Sequence, residues 1–208
     1  MTRYDKRIQA FAIGLSTLAG FVDAVGFIQL GGFFVSFMSG NSTRLGVGLI
    51  ERSQDAALAG GLIIMFIAGV IAGSLVGRFA KAHRRAAVLM LVAILLFSAA
   101  SSAAAGATEV AVMAMVLAMG AENAVFEHEG EMHIGLTYMT GTLVKFGQRL
   151  AASFVGGPRF AWVSYALLWA GLVVGAVAGA AAFSLLGLAS LWIAAAIAGL
   201  FAMTARKL

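Results

Sequence analysis

Asp23 is the one acid well inside a long apolar run, Ile8 to Leu30, and Asn123 stands in the matching place of a second run 100 residues later. A carboxyl at membrane depth is costly and is kept either for function or for a partner. Asp23 can therefore orient a substrate or carry a coupling proton, or it can simply pair with Arg44 or with broken backbone. Both readings stay open, because buried ion pairs often hold architecture without doing chemistry. Glu122, beside Asn123 and nearer the chain's cytoplasmic side, is a second coupling candidate.

Small polar residues interrupt two further apolar segments, at Ser39-Gly40-Asn41 and at Thr140-Gly141-Thr142. Backbone that is not helical at membrane depth must be buried in protein or line a wet cavity. The two triplets read as such breaks: Gly permits unusual dihedrals, and Ser, Thr or Asn can cap a helix that starts just after. A half-helix from about Ser42 to Ser53 would be roughly 18 Å long, with its positive end at the break. Arg44 and Lys145 follow one turn on, so the pair of ends suits an anion or the electronegative end of a polar solute.

Other chemistry is weakly supported. The run Glu127-His128-Glu129-Gly130-Glu131-Met132-His133 lacks the spacing of a zinc-protease helix, and Gly130 argues for a solvated cytoplasmic turn. No cysteine is present, which excludes disulfides and thiolate chemistry. No nucleophile is paired with a base, so no catalytic residue, metal, cofactor or enzyme activity is expected.

The elements that must carry these residues follow from composition. Of 208 residues, 62% are hydrophobic and 11% charged, and the mean hydropathy is +0.98. A soluble chain of this length cannot hide so much apolar surface, so the solvent is lipid. The net charge of +5 sits in short basic clusters beside apolar runs, the pattern of membrane topology rather than of nucleic-acid binding.

Six spans are expected, at about 8–30, 56–78, 86–107, 109–127, 160–184 and 188–205, with re-entrant segments at about 31–53 and 132–153. The first run is read as a retained span rather than a signal peptide. Placing Arg3, Lys6 and Arg7 on the same side as Arg78, Lys81, Arg84 and Arg85 requires an even number of crossings between them. Both termini are then cytoplasmic.

A repeat underlies this layout. Gly20-Phe21-Val22-Asp23-Ala24-Val25 recurs as Gly120-Ala121-Glu122-Asn123-Ala124-Val125, and Ser36-Phe37-Met38-Ser39-Gly40 as Thr137-Tyr138-Met139-Thr140-Gly141. Gly69, Gly73 and Gly77 are matched with Gly171, Gly175 and Gly179. The chain divides into repeats 1–107 and 108–208, each with three spans; an odd number inverts the second against the first. The fold class expected is thus an all-α membrane protein of two inverted 3+3 repeats. The glycine stripes serve either a homodimer or, more simply, the closure of one half on the other.

The first motif, with Gly31-Gly32-Phe33-Phe34-Val35-Ser36-Phe37-Met38-Ser39-Gly40-Asn41 and the sequence around Met119 and Thr137, resembles the YoaK family of small bacterial membrane proteins along essentially the whole chain. The resemblance implies a bacterial cytoplasmic-membrane location and no mechanism. Where the family commonly has Gln before the second Asn, this chain has Glu122. The expectation is a permease for a small polar or anionic solute, with Asp23 as a candidate for proton coupling; a passive channel or a non-transporting subunit are the alternatives.

Overall fold

The computed structural model describes residues 5–128, 131, 132 and 135–207. The chain is almost entirely helical: α1 (Lys6–Gln29), α2 (Met38–Glu51), α3 (Ser53–Ala80), α4 (Arg84–Ala104), α5 (Thr108–Glu122), α6 (Met139–Phe154), α7 (Val163–Leu186) and α8 (Leu191–Thr204). Glu127 and His128 pair with Glu131 and Met132 in a minimal antiparallel ladder. Among the described residues, four continuous helical stretches are long and apolar enough to cross a membrane. Two of these, Ser53–Ala104 and Val163–Thr204, each contain two helices, α3 with α4 and α7 with α8.

Glycine at positive φ follows α1, α4, α6 and α7. α1 stops because Gly31 and Gly32 adopt φ of +63° and +105°, and the Gly32 amide closes back on the Phe27 carbonyl. Pro158 stands outside the helices, in the link between α6 and α7.

Packing is organised by the small residues. A Cβ added at Gly175 would fall on the Thr17 carbonyl, and one at Gly179 on the Phe21 carbonyl, so α1 and α7 touch backbone to backbone. Gly69 and Gly73 meet Leu117 and Ala121 of α5 in the same way. From the other side, Gly20 lies on Leu172 and Ala176, and Gly120 on Phe66 and Val70. Residue numbers rise together in both pairs, so α1 is parallel to α7, and α3 to α5.

Of the two readings of the stripes, the packing displays the closure of one half on the other: the stripes are consumed inside the chain and are not available as a dimer face. The register is also one helical turn away from the sequence match: Gly69 and Gly73 do the work of Gly175 and Gly179, while Gly171 packs on Ile13 and Gly77 on the Arg84 side chain. A four-residue glycine repeat matches itself when slid by four, and only packing chooses between the registers.

The remaining directions follow from the ends of the bundle. One end gathers Phe11 and Leu15 of α1, Ala86 and Leu89 of α4, Leu168 of α7, Ala202 of α8 and Val125 and Phe126 beyond α5. At the other end, Gln29 and Leu30 meet Leu58 of α3 and Thr108 and Glu109 of α5. Hence α1, α4 and α7 run one way and α3, α5 and α8 the other. The first end is basic, carrying Arg78, Lys81, Arg84 and Arg85 between α3 and α4 as well as Lys6 and Arg7. α4 and α8 cross with Phe97 and Trp192 edge to face, ring centroids 5.0 Å apart.

Candidate functional site

The chain does not go directly from α1 to α2. It doubles back through residues 31–37, and this non-helical stretch needs partners for its amides. Two side chains supply them. Asn41, fully buried in the first turn of α2, accepts from the Phe34 amide at 3.0 Å and donates to the Phe34 carbonyl at 2.7 Å. Asp23 Oδ1 accepts from the amides of Val35 at 2.9 Å and Ser36 at 2.8 Å. Three successive amides are thereby satisfied, and of the two readings of Asp23 the geometry displays the structural one, with the broken backbone rather than Arg44 as partner.

The second half repeats the device with neutral groups. Asn123 donates to the Met119 carbonyl at 2.9 Å and accepts from Thr137 Oγ1 at 3.0 Å. Phe37 has φ −90° and ψ 77°, and Tyr138 has φ −86° and ψ 65°. Both lie near an inverse γ-turn, closed by the Met38 amide on the Ser36 carbonyl at 3.2 Å and by the Met139 amide on the Thr137 carbonyl at 3.0 Å. Each turn reverses the chain and launches a short helix.

The breaks therefore lie earlier than the sequence triplets suggested. Ser39-Gly40-Asn41 and Thr140-Gly141-Thr142 form the first turns of α2 and α6, which begin at Met38 and Met139. Their glycines serve close approach instead of unusual dihedrals. The rings of Phe37 and Phe34 occupy the space a Cβ at Gly40 would need, and the Tyr138 ring does so at Gly141. Thr142, buried, donates back to the Tyr138 carbonyl at 3.3 Å.

The two turns share one cavity of about 590 Å³, lined by Ser36, Phe37, Met38 and Ser39 from the first segment and by Thr137, Tyr138, Met139 and Thr140 from the second. Asn123 completes its polar lining, and Phe66 and Val70, near the middle of α3, complete the apolar wall. Of the sequence candidates, Ser39, Thr140 and Asn123 line the cavity; Asp23, Asn41 and Thr142 brace the turns beside it.

Arg44 and Lys145 do not line it. The Arg44 guanidinium lies 4.6 Å from the Phe33 ring centroid, in a separate recess with Glu51, Arg52 and Asp55, and Lys145 is exposed on α6. Each lies six residues past its helix start, Met38 or Met139, and at about 3.6 residues per turn that phase carries it away from the face on which Met38 and Met139 line the cavity. Ser36 and Thr137 were missed as lining groups, although the repeat that pairs them was visible in the sequence.

Glu122 is fully buried, and neither carboxyl oxygen has a hydrogen-bond partner. Nearby, Arg84 pairs with Glu127 at 2.8 Å, and Ser74 donates to the same carboxylate at 2.6 Å. Of the His-bearing run, Glu129, Gly130 and His133 lie outside the described residues.

No solved structure matches this chain. The UPF0700 transmembrane protein RA0705 of Rhizobium meliloti (strain 1021) is 36% identical over 187 residues, covering 88% of this chain and 80% of the relative. The family model described as protein of unknown function (DUF1275) matches residues 11–204. With nearly the whole chain matched, helices apolar enough to cross a bilayer and a relative described as transmembrane, the chain belongs to the DUF1275 family of membrane proteins.

Proposed function

We propose that this protein is a permease for a small, uncharged polar solute, bound where the starts of α2 and α6 meet. The observation that supports this reading is the shared cavity, built from equivalent residues of two sequence repeats. Helix by helix, α1 runs opposite to α5, α3 to α7 and α4 to α8, which is the relation expected of two inverted three-span repeats with α2 and α6 as their re-entrant helices. The basic end faces the cytoplasm by the positive-inside rule, which puts both termini on the cytoplasmic side of a bacterial inner membrane.

Five hydroxyl-bearing residues, Ser36, Ser39, Thr137, Tyr138 and Thr140, and the Asn123 carboxamide give the cavity donors and acceptors without formal charge. Helix N-termini add partial positive charge, favouring an electronegative atom of the solute. With Arg44 and Lys145 directed elsewhere, a fully anionic solute loses its counter-charges. Phe37, Tyr138, Met38 and Met139 supply the apolar contact typical of small-molecule sites.

The reading is tested by a thermal-shift screen of the purified protein against uncharged polyols, amides and amino alcohols beside small anions, followed by proteoliposome uptake of any stabilising solute. The expected result is stabilisation and saturable uptake of an uncharged solute, both lost when Thr140→Trp fills the cavity. Uptake that never saturates points to a channel. No stabilisation and no flux with any solute would overturn transport altogether.

A further inference from the structure

Asp23 spends its carboxylate on two backbone amides, whereas Glu122 has no such duty. Val22 holds the equivalent place in the first repeat and is buried too, so the fold itself does not require an acid there. The charged groups on the elements packed against α5 are engaged or turned outward. On α4, Arg84 pairs with Glu127 and donates Nε to the Ala124 carbonyl at 3.2 Å, and Arg85 lies over the Phe126 ring. Arg78 of α3 and Lys6 and Arg7 of α1 are exposed, and Asp23 is held by its turn.

A carboxylate so placed lacks both a donor and a counter-charge among the described residues. A metal cation would need several oxygen ligands, and no second one accompanies Glu122; a proton needs one. The site is also mechanically placed. The next residue is Asn123, which receives the Thr137 hydroxyl at the cavity wall, and there α5 tightens into a 3-10 turn over Asn123–Phe126.

We propose that Glu122 is the proton-exchange site of the permease, taking a proton from water on one side and returning it on the other as solute crosses. This rests on the transport reading. One peptide unit links the carboxyl to the residue that holds the cavity wall, so gain or loss of the proton is felt where the solute binds.

The test uses the full chain in detergent and in proteoliposomes, treated with dicyclohexylcarbodiimide, which modifies protonated carboxyls in apolar surroundings. Mass spectrometry should find an adduct on Glu122 that declines as the medium is made alkaline. It should be lost in Glu122→Gln, retained in Asp23→Asn and restored in Glu122→Asp. An infrared carboxyl band in acid-minus-alkaline difference spectra, absent from Glu122→Gln, supports the assignment without labelling. Modification of another acid with Glu122 untouched, or no change with pH, overturns the proposal. Should a solute be taken up at a rate indifferent to both the pH gradient and Glu122→Gln, coupling fails while transport stands. Should no solute move although Glu122 titrates, the transport reading fails and the coupling role falls with it.

Discussion

Asp23 and Asn123 sit in equivalent places of the two repeats and brace equivalent turns, but with different strength. Asp23 accepts two backbone amides through one oxygen, whereas Asn123 accepts a single side-chain hydroxyl. Removing that acceptor leaves two amides without partners, each costing roughly 1–3 kcal/mol. Asp23→Ala is therefore expected to lower stability by about 3 kcal/mol, read as a fall in the thermal midpoint in detergent. Asp23→Asn keeps an acceptor oxygen and should lose less than half of that. Asn123→Ala breaks one side-chain pair at the turn and is expected to cost about 1 kcal/mol. An Asp23→Ala protein as stable as wild type would contradict the bracing role. The sequence left Asp23 open between coupling and structure because its partners are backbone amides, which no residue pattern records.

At the scale of the helix, the glycines divide into two kinds. Gly69 and Gly175 stand against carbonyls of a neighbouring helix, so alanine there forces two backbones apart. Overpacking of this kind costs about 1–3 kcal/mol. Gly46 of α2 and Gly147 of α6 are matched in the repeat but have no atom within 4 Å of an added Cβ. Alanine at either should be neutral or stabilise by up to about 1 kcal/mol through helix propensity. Unfolding midpoints of the four single variants check this, and equal losses at all four would refute the division.

The existence of these helices was legible because length and apolarity decide a membrane span. Their order along the chain was legible too. Three things were not: the glycine register, which a periodic stripe leaves ambiguous by four residues; the exact breaks, since Gly31-Gly32 and the γ-turns act before the polar triplets; and the facing of Arg44, which depends on helix phase. Ser36 and Thr137 line the cavity through turn geometry, a property of three dihedrals rather than of composition.

At the scale of the whole molecule, the proposed repeats differ between the two ends of the bundle. At the basic end, Ser164 of α7 donates to Gln9 of α1 at 2.8 Å. The register that equates Gly69 with Gly175 also equates Leu58 with Ser164, and the first repeat motif equates Glu109 with Gln9. At the opposite end, Leu58 and Glu109 are not joined; they line an open crevice of about 330 Å³. If the repeats are inverted, exchanging their conformations would close this crevice and open the one that Gln9 and Ser164 seal, which is how such folds alternate access. A double variant Gln9→Cys with Ser164→Cys should therefore cross-link readily without solute and abolish uptake until reduced. Leu58→Cys with Glu109→Cys should cross-link slowly at rest and faster once a transported solute is present, because only the exchanged state brings that pair together. Gel mobility after mild oxidation measures both rates. A solute that leaves both rates unchanged while still being transported would show that the two ends do not alternate, and would replace the proposed permease with a channel.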